Sequence, residues 1–342
     1  MEELAEQIRT CWEEGRPVVI RGGNTKHFLG RFTQGEVIDT RKLGGILDYQ
    51  PEELFIRAAA GTPLREVEQT LAEKGQMLPF EPPAFGDTAT LGGTISSGLS
   101  GPSRPWRGAA RDFVLGCRLI NGRGELLHFG GEVIKNVAGY DVSRLQCGAF
   151  GTLGLITELS LKTMPLPRTR RTLCFKLDLD TALAQVRVWN RQPLPISGAA
   201  WWKGRLYLRL EGARSAVGRA AQLLGGESST EDDFWHQLRE HRLTFFDSPL
   251  PLWRISLPRS VGAIDLPGDV LIDWGGAQRW LLSDAPAESI QAATKAAGGH
   301  AISWRNDALL PKHSSLLAIH QRLKQAFDPG NILNPGRLHP EL

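Results

Sequence analysis

Leu4, Ile8, Cys11 and Trp12 recur with helical spacing and Gly15 follows, so the chain is predicted to open on an amphipathic helix. Val18, Val19 and Ile20 form a short apolar run that predicts a buried strand feeding directly into Arg21-Gly22-Gly23-Asn24-Thr25. A second helix is predicted where Leu64, Val67 and Leu71 share a face, with Thr62 as its cap, Pro63 in its first turn and Gly75 as its stop. Apolar runs at 113–120 and 125–129 flank Asn121-Gly122, which predicts a hairpin turning on that pair. The stretch 165–171, Pro-Leu-Pro-Arg-Thr-Arg-Arg, predicts a linker. Beyond it, Leu206, Leu208 and Leu210 alternate with Arg205, Tyr207 and Arg209 and predict a strand with one wet face. Ala216, Val217, Ala220, Leu223 and Leu224 predict a helix ended by Gly225-Gly226. Strands are expected near 253–257, 270–274, 279–283 and 301–304, with a helix near 286–297. The pattern predicts an α+β protein whose second part is built on an antiparallel sheet. The expected divisions are 1–164, 165–310 and a C-terminal segment at 311–342.

Composition sharpens this picture by exclusion. A chain of 342 residues exceeds the usual single core, so two domains are expected. Apolar residues are 41% and charged residues 23% of the chain, which fits a globular protein, and no run approaches the roughly 18 apolar residues of a membrane helix. The N-terminal MEELAEQIRT is polar and acidic, unlike a secretory signal, and a cytoplasmic location is expected. Net charge is +3 without a long basic run, which gives nucleic-acid binding little support. Cysteines at 11, 117, 147 and 174 form no C-x-x-C pair, so they are read as small buried residues rather than ligands of a metal or an iron–sulfur cluster.

The candidate chemistry lies in four glycine-rich segments. Gly22-Gly23-Asn24-Thr25-Lys26 follows a strand, and its glycines permit close backbone approach and expose successive N–H groups. It lacks the spacing of a dinucleotide-binding Rossmann loop or a P-loop, and in isolation it reads as a structural turn. Residues 82–101 run almost unbroken through small and hydroxyl side chains, suited to wrapping phosphate oxygens. Leu91, Ile95 and Leu99 recur at four-residue intervals within it, which points to ordered packing rather than a flexible linker. The third segment is Lys135-Asn136-Val137-Ala138-Gly139-Tyr140-Asp141. In the fourth, at 148–157, glycines every third residue leave room for a flat ring against the backbone. Neither of these two identifies a ligand alone.

Taken in order, these loops resemble the vanillyl-alcohol-oxidase (PCMH-type) FAD-binding family. The residues that carry the resemblance are IRGGNTKHFLGR (20–31), AGTPL (60–64), GQMLPFEPP (75–83), TLGGTISSGLSGP (90–102) and RDFVLG (111–116). FGGEVIKNVAGYDVSRL (129–145), GTLGLITE (151–158), LIDWGGA (271–277) and NPGRL (334–338) continue it over nearly the whole chain. The combination of EPP, KNVAGYD and IDWGG resembles the FAD-binding subunits of bacterial glycolate oxidases within that family.

The resemblance implies a two-lobed PCMH-type FAD-binding domain, an α+β cap and a C-terminal segment returning to the flavin. It implies that FAD is held by Arg21, Gly22, Gly23, Asn24, Thr25 and Lys26 in the first loop and by Gly61 beside it. From the second segment it implies Thr90, Leu91, Gly92, Gly93, Ser97, Gly98 and Gly101, followed by Arg111. Asn136, Gly139 and Tyr140 come from the third segment, Gly151, Thr152, Gly154 and Ile156 from the fourth, and Asn334 from the C-terminus. Thr25 stands where many relatives carry a histidine that bonds covalently to the flavin, so non-covalent FAD is expected. Gly148-Ala149-Phe150-Gly151 also departs from the GSEG of many relatives, which removes a polar pair.

Relatives acting on 2-hydroxy acids commonly carry a His-x-His pair and an acidic-His-Gly motif, and this chain has neither. No catalytic residue is therefore assigned and no metal is expected. The resemblance then implies an accessory or electron-relay flavoprotein of a glycolate oxidase. Its partners would be a second, catalytic FAD subunit and an iron–sulfur subunit, with membrane association only through the complex. A stand-alone FAD dehydrogenase of a small hydroxy acid or polyol, and a non-redox scaffold, stay open. Exposed tryptophans in the cap, where Trp201, Trp202, Trp253, Trp274, Trp280 and Trp304 lie, would mark a docking face, and buried ones a Trp-rich core.

Overall fold

The computed structural model describes residues 1–131, 141–229, 233–305 and 314–342. The chain divides into two compact units. Met1–Ser100, Ala109–Leu166 and the C-terminal stretch form the first, and Gly101–Gly108 with Pro167–Arg305 form the second.

The first unit has two lobes. Helix α1 (Glu2–Glu13) buries Leu4, Ala5, Ile8 and Cys11, whereas Trp12 stays exposed. It packs over strand β1 (Val18–Arg21), which pairs in parallel with β2 (Glu36–Asp39), Val19 opposite Val37. The larger lobe is a five-stranded sheet of β3 (Ile46–Gln50), β4 (Phe55–Ala59), β8 (Leu155–Lys162), β6 (Val114–Ile120) and β7 (Leu126–Gly130), in that spatial order and antiparallel throughout. Helices α2 (Leu64–Glu73) and α3 (Leu91–Ser97) pack on it through Val67, Leu71, Leu91 and Ile95, all fully buried. The short strands β5 (Gln76–Met77) and β9 (Met164–Pro165) pair beside it. Helices α5 (Val142–Leu145) and α10 (Ser314–Phe327) belong to the same unit.

The second unit includes the single-turn helix α4 (Arg104–Arg107) and one eight-stranded sheet. Its strands are β10 (Thr169–Lys176), β11 (Ile196–Trp202), β12 (Arg205–Gly212), β13 (Glu227–Ser228), β14 (Leu252–Ser256), β15 (Asp269–Asp273), β16 (Gln278–Leu282) and β17 (His300–Ser303). The spatial order is β13-β10-β12-β11-β15-β16-β14-β17, and every pairing is antiparallel. Helices α6 (Leu179–Trp189), α7 (Arg214–Leu224), α8 (Phe234–Arg239) and α9 (Ala287–Ala296) complete the unit. The α+β expectation, with a second part on an antiparallel sheet, holds.

Several local expectations do not. Thr62 caps no helix; its hydroxyl bonds the backbone of Gly45 and Ala59, and Pro63 precedes the first turn instead. The 121–125 hairpin turns over a longer loop, in which the Asn121 side chain accepts from the N–H groups of Arg123 and Glu125 and Gly124, not Gly122, has φ +75°. The 165–171 stretch is not a free linker: Thr169, Arg170 and Arg171 already pair in β10, and Arg170 meets the buried Glu211 carboxylate. The strand at 205–212 is covered on both faces beyond its exposed first residue, Arg205. Leu206, Leu208 and Leu210 pack under α6 and α7, while on the other side Tyr207 stacks on Phe234 and Arg209 lies over Trp235. Alternation reported the two faces correctly, but the Arg209 guanidinium is covered because Ser197 takes its hydrogen bonds.

Trp253, Trp274, Trp280 and Trp304 are buried, which favours a Trp-rich core over a docking face for these four. The His241 ring lies inside that aromatic group, stacked on Phe246 with centroids 4.0 Å apart and edge-on to Trp280 at 4.5 Å. Burial, then the charges of Arg254 and Arg305, push its pKa down to about 3. The unfolded chain takes up a proton below about pH 6.5 that the folded chain refuses. Stability is therefore full above about pH 6.5 and falls as pH drops towards 3, by at most about 1.4 kcal/mol per pH unit. His241→Phe is expected to flatten this acid limb. Urea midpoints measured from pH 7 to 4 check it, and equal slopes in both proteins would refute it.

Candidate functional site

The first glycine loop is shaped by what it touches. A Cβ on Gly23 would lie 1.5 Å from the Thr88 carbonyl oxygen, and one on Gly22 would lie 2.5 Å from Thr90 Oγ1. Only glycine lets β1 turn against the 84–90 segment this closely. The contact is then sealed by Thr88 Oγ1 donating to Gly23 O at 2.7 Å, and by Thr25 Oγ1 donating to Ala84 O at 2.7 Å. Lys26 is buried, and its ammonium also donates to Ala84 O at 3.2 Å. Asn24 turns with φ +59°. Among the described residues, the N–H groups of Gly22, Gly23, Asn24 and Thr25 donate to no protein acceptor.

The second segment is partly helical rather than a loop. Thr90 caps α3 by accepting from Gly93 N, and Gly98 ends the helix with φ +63°. Gly92 abuts Ala60, whose Cβ would lie 2.8 Å from an added Cβ. The N–H groups of Leu91 and Gly92 are already committed to the carbonyls of Thr62 and Ala60 at 2.9 and 2.7 Å. The first turn of α3 thus fixes the backbone at 60–62, and the 22–25 loop offers four successive free donors to the site.

A third wall comes from 148–156 and the C-terminal stretch. Phe150 has φ +50°, a costly conformation for an aromatic residue, and its N–H donates to Ser96 O. Asn334, at φ +42°, joins three segments: its N–H donates to Val18 O, its Oδ1 accepts from Ile20 N at 2.9 Å and its Nδ2 donates to Phe150 O at 2.6 Å. Leu333 bridges β1 in parallel at Val18. This return is locked by Lys324, whose buried ammonium donates to Asp328 Oδ2, Thr152 O and Leu333 O at 2.7, 2.9 and 2.6 Å. Burial lowers the Lys324 pKa, and Asp328 opposes that shift.

Together these segments enclose a cavity of about 490 Å³, within the range of cofactor pockets. Of the residues expected from the sequence, the cavity gathers Arg21, Gly22, Gly23, Asn24, Thr25 and Lys26. It also gathers Thr90, Gly92, Gly93 and Ser97, then Gly151, Gly154, Ile156 and Asn334. Gly61, Leu91 and Gly98 do not line it; Gly61 packs on the backbone of Thr40 and Leu43, Leu91 is core, and Gly98 closes on Gly148. Gly101 belongs to the second unit. Arg111 and Thr152 line a different recess, shared with Arg144, Cys147 and Lys324. Asn136, Gly139 and Tyr140 lie outside the described residues.

Sequence reasoning missed the 32–40 side of the cavity, including Phe32, Val37 and Thr40, because the parallel pairing of β2 with β1 carries no local signal. Arg337 was within reach, since it sits in the quoted NPGRL motif; it lines the cavity and donates to the carbonyls of Arg31 and His27. Among the described residues no acidic side chain lines this cavity, while Arg21, Lys26 and Arg337 do, so its field favours an anion. Unpaired loop N–H groups, glycines that no Cβ could replace and this charge balance fit a ligand with a phosphate centre. Among the described residues no group of three His, Cys, Asp or Glu side chains is placed to hold a metal ion.

Residues 1–130 match the family model described as the FAD binding domain, and 296–338 match that of the C-terminal domain of FAD linked oxidases. The chain is 49% identical over 341 residues to glycolate oxidase subunit GlcE of Escherichia coli, covering 99% of this chain and 97% of that protein. It is 31% identical over 186 residues to glycolate oxidase subunit GlcD of Bacillus subtilis, covering 54% of this chain and 39% of that one. Among solved structures, alkyldihydroxyacetonephosphate synthase superposes with a TM-score of 0.67 at 16% identity over 98% of this chain and 74% of the other, a likeness of fold.

Proposed function

The chain belongs to the FAD-linked oxidase family with a PCMH-type FAD-binding domain, and from that premise we propose that it is the FAD-binding subunit of a glycolate oxidase complex. FAD is its cofactor, and the family places it among oxidoreductases acting on CH–OH groups. The observation that carries the reading is the near-complete match to the E. coli subunit, joined to a cavity that, among the described residues, offers free backbone donors and no acid. In this reading the complex oxidises glycolate to glyoxylate. This chain is an accessory or electron-relay flavoprotein beside a catalytic FAD subunit and an iron–sulfur subunit. The likeness to GlcD, named as a subunit of the same oxidase, supports a flavoprotein partner. No helix among the described residues is long and apolar enough to cross a membrane. A cytoplasmic chain, reaching a membrane only through its partners, is part of the proposal.

When bound, FAD supplies a two-electron acceptor. The N–H groups of Gly22 to Thr25 are suited to its pyrophosphate, with Arg21, Lys26 and Arg337 supplying positive charge. Asn334 holds β1 and the Phe150 backbone in register with the C-terminal return for it. Thr25 offers no nitrogen or sulfur for a flavin bond, and its hydroxyl is already engaged with Ala84 O. His27, which also lines the cavity, has its Nδ1 3.0 Å from Asn24 O. FAD is therefore expected to dissociate.

The purified chain is expected to be yellow, to release all its FAD into the supernatant on acid precipitation, and to turn over glycolate poorly alone. Affinity purification from the native host is expected to bring down a second flavoprotein and an iron–sulfur protein. Flavin left in the acid pellet would refute non-covalent binding. Rapid bleaching of the isolated chain by glycolate would replace the accessory role with a stand-alone dehydrogenase.

A further inference from the structure

Trp201 and Trp202 are half-buried, unlike Trp253, Trp274, Trp280 and Trp304. They end β11 at the place where the eight-stranded sheet comes apart. β11 and β15 are neighbours in spatial order, yet among the described residues they share a single register pair, Trp201 with Ile272. Asp269, Val270 and Leu271 pair with β16 and have no strand partner on the β11 side. The chain enters β15 hard against β16, since a Cβ on Gly268 would lie 2.1 Å from Leu282 O. On the opposite bank β11 turns away into β12 through Lys203 and Gly204, with φ +48° and +72°.

The gap passes through the sheet. Trp201 stands opposite Ile272, so alternation puts Trp201 and Val270 on one face and Trp202 and Asp269 on the other. All four nevertheless line one recess of about 630 Å³. A recess reached from both faces is a missing length of strand rather than a dent in a surface.

The side chains around it are partly uncommitted. Trp201 Nε1 donates to Leu177 O at 2.8 Å, whereas among the described residues the Trp202 indole N–H has no acceptor. The Lys203 ammonium lies 4.6 Å from the Trp202 ring centroid. Asp247 and Asp269 are exposed and line the same recess. Among the described residues neither carboxylate meets a cation or accepts a hydrogen bond. Two unmatched carboxylates thus stand against one lysine. Free backbone groups along a strand edge, open indole surface and unmatched negative charge are complementary to an extended, basic chain.

We propose that the gap between β11 and β15 is a docking slot for an extended, basic segment of a partner subunit. The segment adds a short strand to the edge of β15 at 269–271, lays an apolar side chain on Trp202 and directs a lysine or arginine to Asp247 and Asp269. Three residues of strand span only about 10 Å, so the slot is one anchor of an interface and not the whole of it. The slot stands on the second unit alone. That its occupant belongs to an oxidase complex rests on the proposed function.

Hydrogen–deuterium exchange of the affinity-purified complex and of the isolated, FAD-loaded chain tests it. The fastest-exchanging amide within 269–271 is expected to slow at least tenfold in the complex. Asp247→Asn combined with Asp269→Asn changes only exposed, near-isosteric groups, so the variant should fold and keep its FAD. It is expected to bind the separated partner at least tenfold more weakly. Trp202→Ala should weaken the partner as well. Raising the salt concentration should erase the difference between the double variant and the parent but not the loss in Trp202→Ala, because screening acts on the ion pairs alone. A complex with unchanged exchange across 269–271, or parental affinity in both variants, would overturn the slot. Slower exchange on concentrating the isolated chain would give the gap to a second copy and overturn it too. A parent chain that retains no partner would overturn the slot and the oxidase-complex reading together. Slowing by a partner that carries neither flavin nor an iron–sulfur cluster would overturn only that reading and leave the slot standing.

Discussion

Gly23→Ala is expected to weaken FAD binding at least 100-fold, equivalent to about 2.7 kcal/mol. The added methyl would lie 1.5 Å from Thr88 O and 2.3 Å from the Thr88 carbonyl carbon. Both are backbone atoms, so no side-chain rotation relieves the overlap. The 22–25 loop must withdraw from the 84–90 segment, which breaks the Thr88 bond to Gly23 O and turns the free N–H groups away from the cavity. Titration of the apoprotein with FAD, followed by quenching of flavin fluorescence, reads the effect. Gly218→Ala is the matched control. That glycine lies within α7 with nothing within 4 Å of the added carbon, and helix propensity makes the change neutral to mildly stabilising. An unchanged FAD affinity in Gly23→Ala would show that this loop does not hold the cofactor.

Asp328→Ala is expected to cost the fold about 3–5 kcal/mol, the penalty of stranding a buried charge. The Lys324 ammonium is almost wholly buried and has three acceptors, of which Asp328 is the one that carries charge. The same carboxylate accepts from Ile332 N and Leu333 N at 3.1 and 2.7 Å, so its loss also strands two buried N–H groups. The segment released would be the one that delivers Asn334 to β1. FAD affinity should therefore fall with stability.

The variant has a pH signature. Its Lys324 pKa would be lower still than in the parent, where burial already depresses it and Asp328 resists. Between that lowered value and the ordinary lysine pKa of about 10.4, the unfolded chain binds the extra proton, so stability rises with pH. Raising pH from 7 to 9 should restore part of the loss in Asp328→Ala, and urea unfolding at both values checks it. A loss under 1 kcal/mol at pH 7 would mean that the ammonium finds water or another partner.

The first of these effects was largely legible in the chain and the second was not. Gly22-Gly23 after a short strand announces close backbone approach, because a missing Cβ serves little else there. The period of Leu91, Ile95 and Leu99 announced order in a segment of small residues, and all three are buried, though Leu91 and Ile95 lie in a capped helix and Leu99 just past its end. Lys324 and Asp328 stand four apart, a spacing that on most helices marks a solvated pair of little consequence. What makes this pair decisive is burial under residues 152 and 333, nearly 200 residues apart in sequence.

The same division runs through the whole molecule. Local chemistry indicated β12, β14, β15, β16 and β17 of the second unit, though not β10, β11 or β13, together with the glycine turns and the family, because periodicity and missing side chains are properties of neighbouring residues. Tertiary structure decided that β1 and β2 pair in parallel, that the face of β12 bearing Arg209 is covered and that Leu333 closes on Val18. It also decided which of the predicted glycines reach the cavity. Each of these depends on a partner distant in sequence, and burial, which sets the cost of every unpaired charge and N–H group, exists only once that partner has arrived.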